Sequence, residues 1–147
     1  MIFAGKFARQ IDEKQRVALP KPLRSALEEN ATKGLYVAPG TDGSLALYTE
    51  EGLAKLAERL AGASPAGKDV RAFSRLFYAQ VQLVEIDAQG RIRIPQELAT
   101  LAGLGREGVL IGVLDHWELW EPSRWEAYSK EKQSHFDDIA EAAFRVE

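Results

Sequence analysis

Cysteine is absent from the 147 residues, which excludes disulfides, thiolate metal sites and a cysteine nucleophile. Histidine is nearly absent: His116 and His135 are the only two, and they lack the paired spacing of metal ligands. No apolar run is long enough to span a bilayer, and the first residues lack the apolar stretch of a signal peptide. A glycine loop that could cradle phosphate is missing, and no serine stands in a nucleophile-elbow context. Acidic neighbours such as Asp137 and Asp138 fall on a polar segment. These absences lead us to expect a soluble cytoplasmic protein that is not an enzyme, with no metal, no cofactor, no small-molecule substrate and no membrane association.

What is present suits one compact unit. A chain of 147 residues can bury a core without staples, whereas each half alone, at about 70 residues, would be marginal. The formal net charge of −3 argues weakly against a polyanionic partner, but the charge is unevenly placed. Residues 1–24 hold Lys6, Arg9, Lys14, Arg16, Lys21 and Arg24 against Asp12 and Glu13, a net +4, while residues 115–147 carry a net −5. One end can face an anion while the other faces away.

The strongest signal is an internal repeat. Residues 11–20 read IDEKQRVALP and residues 86–95 read IDAQGRIRIP, sharing Ile, Asp, Arg and Pro at an offset of 75. Around each copy the same order of elements is expected. Alternation of Phe3, Phe7 and Ile11, and then of Val17 and Leu19, predicts two strands joined by a turn over residues 12–15. Pro20 and Pro22 stop the second strand and open a short helix to about Glu29. A strand pair then surrounds the turn signal Pro39-Gly40-Thr41-Asp42-Gly43, and a helix follows with Leu53, Leu56 and Leu60 on one stripe.

Residues 61–67 read as a connector, and residues 69–78 as a helix with an apolar face of Val70, Phe73, Leu76 and Phe77. Arg71 and Arg75 on its other side read as a subunit or interdomain contact. The order recurs with strands over 80–86 and 91–94, a short helix at Leu98 and Leu101, strands over 109–114 and 117–120, and a helix carrying Trp125 and Tyr128. The last stretch, 133–145, is an acidic helix whose stripe of Phe136, Ile139, Ala140 and Ala143 needs a partner. The expected organisation is a first repeat over 1–60, a linker and helix over 61–79, a second repeat over 80–128 and a helical tail over 129–147, with both repeats folding as one unit.

The pattern Asp-x-x-x-Arg between strands, closed by apolar-x-apolar-Pro, resembles the AbrB-like (SpoVT-AbrB) domain. Two such units joined by the helix Arg71-Ala-Phe-Ser-Arg75-Leu-Phe-Tyr78 resemble the MraZ family of bacterial transcriptional regulators, and the likeness runs from Phe3 to about Tyr128. The resemblance implies an α+β fold: a pseudo-twofold swapped-hairpin β-barrel built from two tandem ββαββα repeats, with a linker helix and a C-terminal helix. It also implies a nucleoid-associated protein, assembled as a ring-like homo-oligomer. Such a protein would bind double-stranded DNA at short direct repeats upstream of the division and cell-wall gene cluster, as a repressor. The family's motif residues fall on Asp12 and Arg16 and on Asp87 and Arg91. Gln15 departs from the pattern, because the second copy has Gly90 there; either the first turn is wider or it tolerates a left-handed residue at roughly 1–2 kcal/mol.

Two roles suit the motif residues. Asp12 and Asp87, with Gly90, are expected to shape the turns by accepting backbone amides. An exposed Asp–Arg pair adds only about 0–1 kcal/mol, so stability alone does not account for the arginines. Arg16 and Arg91 are the expected DNA contacts, since a guanidinium can grip two phosphate oxygens or the O6 and N7 of guanine. Lys14, Arg93, Arg9 and Lys6 are expected as further phosphate contacts. The rival reading is an assembly module whose basic face binds acidic segments of neighbouring subunits, such as Asp137 to Glu141.

Overall fold

The computed structural model describes residues 2–32, 34–63 and 66–145. The first repeat runs β1 (Lys6–Gln10), β2 (Arg16–Ala18), α1 (Lys21–Glu29), β3 (Gly34–Pro39), β4 (Leu45–Tyr48) and α2 (Glu50–Ala61), and α3 (Lys68–Gln80) leads out of it. The second runs β5 (Gln82–Glu85), β6 (Arg91–Arg93), α4 (Gln96–Leu101), β7 (Glu107–Val113), β8 (His116–Trp120) and α5 (Pro122–Gln133), followed by α6 (Phe136–Ala143). The protein is thus a mixed α+β fold whose two halves share one order of elements.

Local chemistry sets many of the boundaries. Pro20 and Pro95, each separated by one residue from the end of β2 or β6, stand at the N-caps of α1 and α4, where a missing N–H costs least. Thr49 caps α2 by accepting from the Gly52 amide at 3.0 Å. The Glu121 carboxylate caps α5, taking the amides of Ser123 and Arg124 at 3.1 and 3.0 Å.

Pairing across the halves is what makes them one body. The strands form a six-stranded antiparallel sheet in the order β1-β7-β8-β4-β3-β5 and a two-stranded ribbon of β2 and β6. Exchanging each strand for its counterpart in the other repeat turns that order into its own reverse. The local hairpin suggested by residues 3–19 is therefore only the path of the chain: β1 finds its ladder on β7 and β2 on β6, and a single bridge, Ile11 to Val17, joins β1 directly to β2.

The main core lies between these elements and draws on both repeats. Ile11, Val17, Leu23, Leu35 and Leu47 from the first meet Ile92, Ile94, Leu98, Leu110 and Leu119 from the second, all buried. Trp117 is fully buried, with Phe3 and Phe7 packed on it at ring-centroid distances of 5.8 and 5.7 Å. A smaller cluster of Ala38, Ala46, Tyr48 and Phe77 occupies the other side of the sheet beneath α2 and α3. Strand β4 is therefore buried on both faces.

Helix α3 differs from the sequence expectation. Of its apolar residues only Phe77 is buried; Phe73 and Leu76 are 40 % and 67 % exposed. Phe77 engages the sheet-side cluster, Val70 is half-buried, and Phe73 stacks on Phe77 with its outer side, like Leu76, in solvent.

At the β7–β8 turn, His116 stacks on Tyr48 with centroids 4.9 Å apart. It stands between Glu118, 3.8 Å from Nε2, and Asp115, 2.7 Å from Nδ1. Glu118, and then Asp115, raise the His116 pKa above its usual value against the opposing effect of burial. A raised folded-state pKa contributes stability that is complete below the unfolded value of about 6.5 and is lost as pH rises through the folded value. The melting temperature is accordingly expected to fall as pH is raised from 6 into the alkaline range. His116→Gln should flatten that slope in a thermal-denaturation series.

Candidate nucleic-acid interface

The two Asp-x-x-x-Arg turns have one geometry. In the first, Asp12 Oδ1 accepts from the amides of Lys14 at 3.0 Å and Arg16 at 2.9 Å, and Oδ2 accepts from Arg16 Nε at 2.7 Å. In the second, Asp87 Oδ1 accepts from the amides of Gln89 and Arg91, both at 2.9 Å, and Oδ2 from Arg91 Nε at 2.9 Å. These bonds, led by the Arg backbone amide, hold both carboxyls below the usual aspartate pKa. The turns also interlock, because the Leu19 amide donates to Gly90 O at 3.0 Å and the Ile94 amide to Gln15 O at 2.9 Å.

The first turn is not widened by Gln15, which takes the left-handed conformation at φ 66°, close to the 77° of Gly90. The reason for the asymmetry lies on the neighbouring helices. The guanidinium of Arg24 lies over Gly90, so a Cβ there would meet Arg24 Nε at 2.6 Å. The repeat counterpart of Arg24 is Ala99, and the Gln15 side chain instead donates to Gln96. Gly90→Ala is therefore expected to cost roughly 1–2 kcal/mol from backbone strain. Gln15→Gly should stabilise by less than about 1 kcal/mol, the relief of strain being partly offset by the added freedom of the unfolded chain. Urea denaturation of the two variants should give midpoint shifts of opposite sign.

The turns deliver their arginines to the outer face of the β2–β6 ribbon. Val17 and Ile92 face each other across it and are buried, which directs the alternate residues outward. Arg16 is opposite Arg93, and Arg91 is opposite Ala18. The side chains of Arg16 and Arg91 are 31 % and 27 % exposed; Arg93 and Lys14 are exposed. Among the described residues both motif arginines hydrogen-bond through Nε alone, which leaves the Nη edge of each fork as a donor surface. Arg91 Nη1 also stands 4.0 Å from Asp12, linking the two turns. Among the described residues Arg93 has no ion-pair partner, although like charges directly opposite each other on paired strands are unfavourable. An anionic ligand would relieve that opposition.

The other expected contacts are placed differently. Arg9 is half-buried on β1: its Nε donates to Ala18 O at 3.2 Å, its Nη1 to Ala8 O at 3.0 Å, and its guanidinium lies 5.5 Å from the Phe7 ring centre. The bond to Ala18 O ties β1 to the ribbon. Lys6, at the other end of β1, is exposed opposite Ile111 and away from the ribbon. Arg106, which the sequence pattern does not mark, joins Arg16 and Arg91 around an open cleft of about 990 Å³. The cross-repeat pairing of β1 with β7, continued by the bond from the Ile11 amide to Arg106 O at 2.8 Å, brings it there. The same cleft carries Asp12, Glu13, Glu107 and Glu121 beside its three arginines, whereas Arg93 stands on the ribbon outside that lining. Among the described residues no group of His, Asp and Glu could hold a metal ion, and no helix is long and apolar enough to cross a membrane.

Comparison with known proteins agrees with the repeat. The family model described as "MraZ protein, putative antitoxin-like" matches the chain twice, over residues 2–76 and 77–147. The protein named transcriptional regulator MraZ of Ligilactobacillus salivarius is 40 % identical over 140 residues, covering 95 % of each chain. Its namesake in Acetivibrio thermocellus is 39 % identical over 140 residues, again 95 % of each. That of Thermomicrobium roseum is 37 % identical over 129 residues, 88 % of each. These names denote regulators of transcription and not enzymes. With both repeats matched and relatives of this identity along nearly its whole length, the chain belongs to the MraZ family.

Proposed function

We propose that the protein is a transcriptional regulator that binds double-stranded DNA sequence-selectively, reading short direct repeats upstream of the division and cell-wall gene cluster and repressing it. The observation that carries this reading is the two-stranded ribbon with Arg16, Arg91 and Arg93 on its outer face. A ribbon of two strands fits the major groove of B-DNA, and arginine forks there can take guanine edges or flanking phosphates. Lys14 at the tip of the first turn supplies a phosphate contact, and Arg106 extends the cationic edge. Asp12 and Asp87 hold the arginines in place and leave the Nη edges for the ligand. The cross-repeat pairing of β1 with β7 and of β3 with β5 supports reading the fold as an AbrB-like swapped-hairpin barrel.

One subunit with three or four phosphate contacts would bind weakly and lose affinity steeply with salt. A ring of subunits on evenly spaced DNA repeats compensates, because each bound site raises the effective concentration of the next. This action places the protein in the cytoplasm, on the nucleoid. A mobility-shift titration with the DNA upstream of its own gene tests the reading. Discrete complexes whose affinity falls as salt rises, and which need the repeats, are expected; equal retention of unrelated duplex DNA would reject sequence selection. The rival reading, in which the basic ribbon binds acidic segments of neighbouring subunits, predicts that substituting the ribbon arginines dissolves the assembly itself.

A further inference from the structure

Two helices of this chain present amphipathic faces to solvent, and the faces are complementary. On α3, Phe73 and Leu76 are 40 % and 67 % exposed. They border an apolar groove of about 490 Å³ whose floor includes Ala46, Tyr48, Leu56 and Phe77. By helical spacing Ala72 and Ala79 continue that strip, and Lys68, Arg71 and Arg75 follow it as a basic strip along one edge. On α6, Phe136 and Ile139 are 59 % and 44 % exposed, and Ala140 and Ala143 share their face at helical spacing. Asp137, Asp138 and Glu141 form an acidic strip beside that face. A helix this short gains little from its own hydrogen bonds and needs packing to hold it. Glu118, the carboxylate in the groove, is already engaged by Trp120 Nε1 at 2.9 Å and by His116.

We propose that α6 of one subunit docks in the α3 groove of a second copy of this chain, apolar strip on apolar strip and three carboxylates along three cations. The surfaces joined are different ones, so the contact is head-to-tail, and a head-to-tail contact either closes into a ring or runs on as a filament. The inference rests on the ring-forming reading above and names the surface that would build it. It also separates assembly from DNA binding, since α3 and α6 do not contribute to the β2–β6 ribbon. A single short helix in a groove buries less than a standard stable interface, so closure of the ring supplies the remaining stability.

The absence of cysteine makes this directly testable. Leu76→Cys and Ile139→Cys are introduced singly into the full chain, purified reduced, and oxidised with copper phenanthroline separately and as a mixture. The expected result on a non-reducing gel is a disulfide-linked dimer in the mixture and none from either variant alone. The double variant should give a ladder that ends at the ring's subunit number. In parallel, Leu76→Asp and Ile139→Asp should each reduce the mass seen by sedimentation to that of a monomer, with the circular dichroism of the folded body retained. Dimers from one single variant alone, or closure within one chain, overturn the proposal. An assembly of wild-type mass in both Asp variants overturns this interface and leaves the ring intact. A wild-type chain that sediments as a monomer removes the ring reading and this interface together.

Discussion

Replacing both motif arginines, Arg16→Ala with Arg91→Ala, is expected to weaken DNA binding by about 10²–10⁴-fold per site while leaving the assembly and the fold in place. Truncating a hydrogen bond to a charged group costs about 1.5–3 kcal/mol, and two such truncations at one site correspond to that range in Kd. The fold should survive because each Asp–Arg pair is on the surface, where an ion pair adds little to stability, and because Asp12 and Asp87 keep their backbone-amide bonds. The salt dependence supplies a second readout: the slope of log Kd against log salt should become shallower by nearly one for each phosphate that the variant no longer neutralises. The single substitutions should differ in effect. Arg16 faces Arg93 across the ribbon, whereas Arg91 faces Ala18 and also approaches Asp12. Mobility shifts with each variant, paired with sedimentation of the same samples, check this. Equal effects on affinity and sequence preference would show that the copies act as equivalents, and loss of the assembly would favour the rival role for the basic face.

Trp117→Ala should be the most damaging of the core substitutions. Trp117 is fully buried at the meeting of the two repeats, against Phe3 and Phe7, and removing a buried Trp side chain costs about 3–5 kcal/mol. Against a total stability of about 5–15 kcal/mol for a domain, that lowers the melting temperature by roughly 10 °C or more. Trp117→Phe should cost less than its smaller area suggests. The buried indole Nε1 has no hydrogen-bond partner among the described residues, and phenylalanine removes that unsatisfied donor. Differential scanning calorimetry of the three proteins checks the order wild type, Phe variant, Ala variant; an Ala variant melting within a degree of wild type would mean the cavity collapses around the missing ring.

Both predictions draw on features that the sequence showed unevenly. The turn motif was legible because its determinants are local: an Asp accepts amides two and four residues ahead, and a Pro ends the strand, wherever the segment is placed. Most helices were legible for the same reason, through prolines, caps and apolar spacing. The surroundings of Arg9 were not legible, since a basic residue between strand apolars looks like solvated charge until Ala18 O and the Phe7 ring are seen beside it. Arg106 was invisible because the bond that brings it to the cleft comes from Ile11, far away in the chain. Phe73 and Leu76 looked like core because periodicity reports an apolar face without naming what covers it.

By itself the sequence determined the duplication, the order of strands and helices, the two Asp-x-x-x-Arg turns and the polarity of charge between the two ends. Those are properties of neighbours along the chain, where side-chain spacing and backbone preference decide the outcome. Long-range packing alone set β2 against β6, which puts Arg16 opposite Arg93. It also decided that Gln15 can hold a left-handed turn while Arg24 presses on Gly90. Each of these depends on burying apolar surface between segments some 75 residues apart, and such burial is non-directional and insensitive to sequence order. No local pattern could have shown which strand would be the partner.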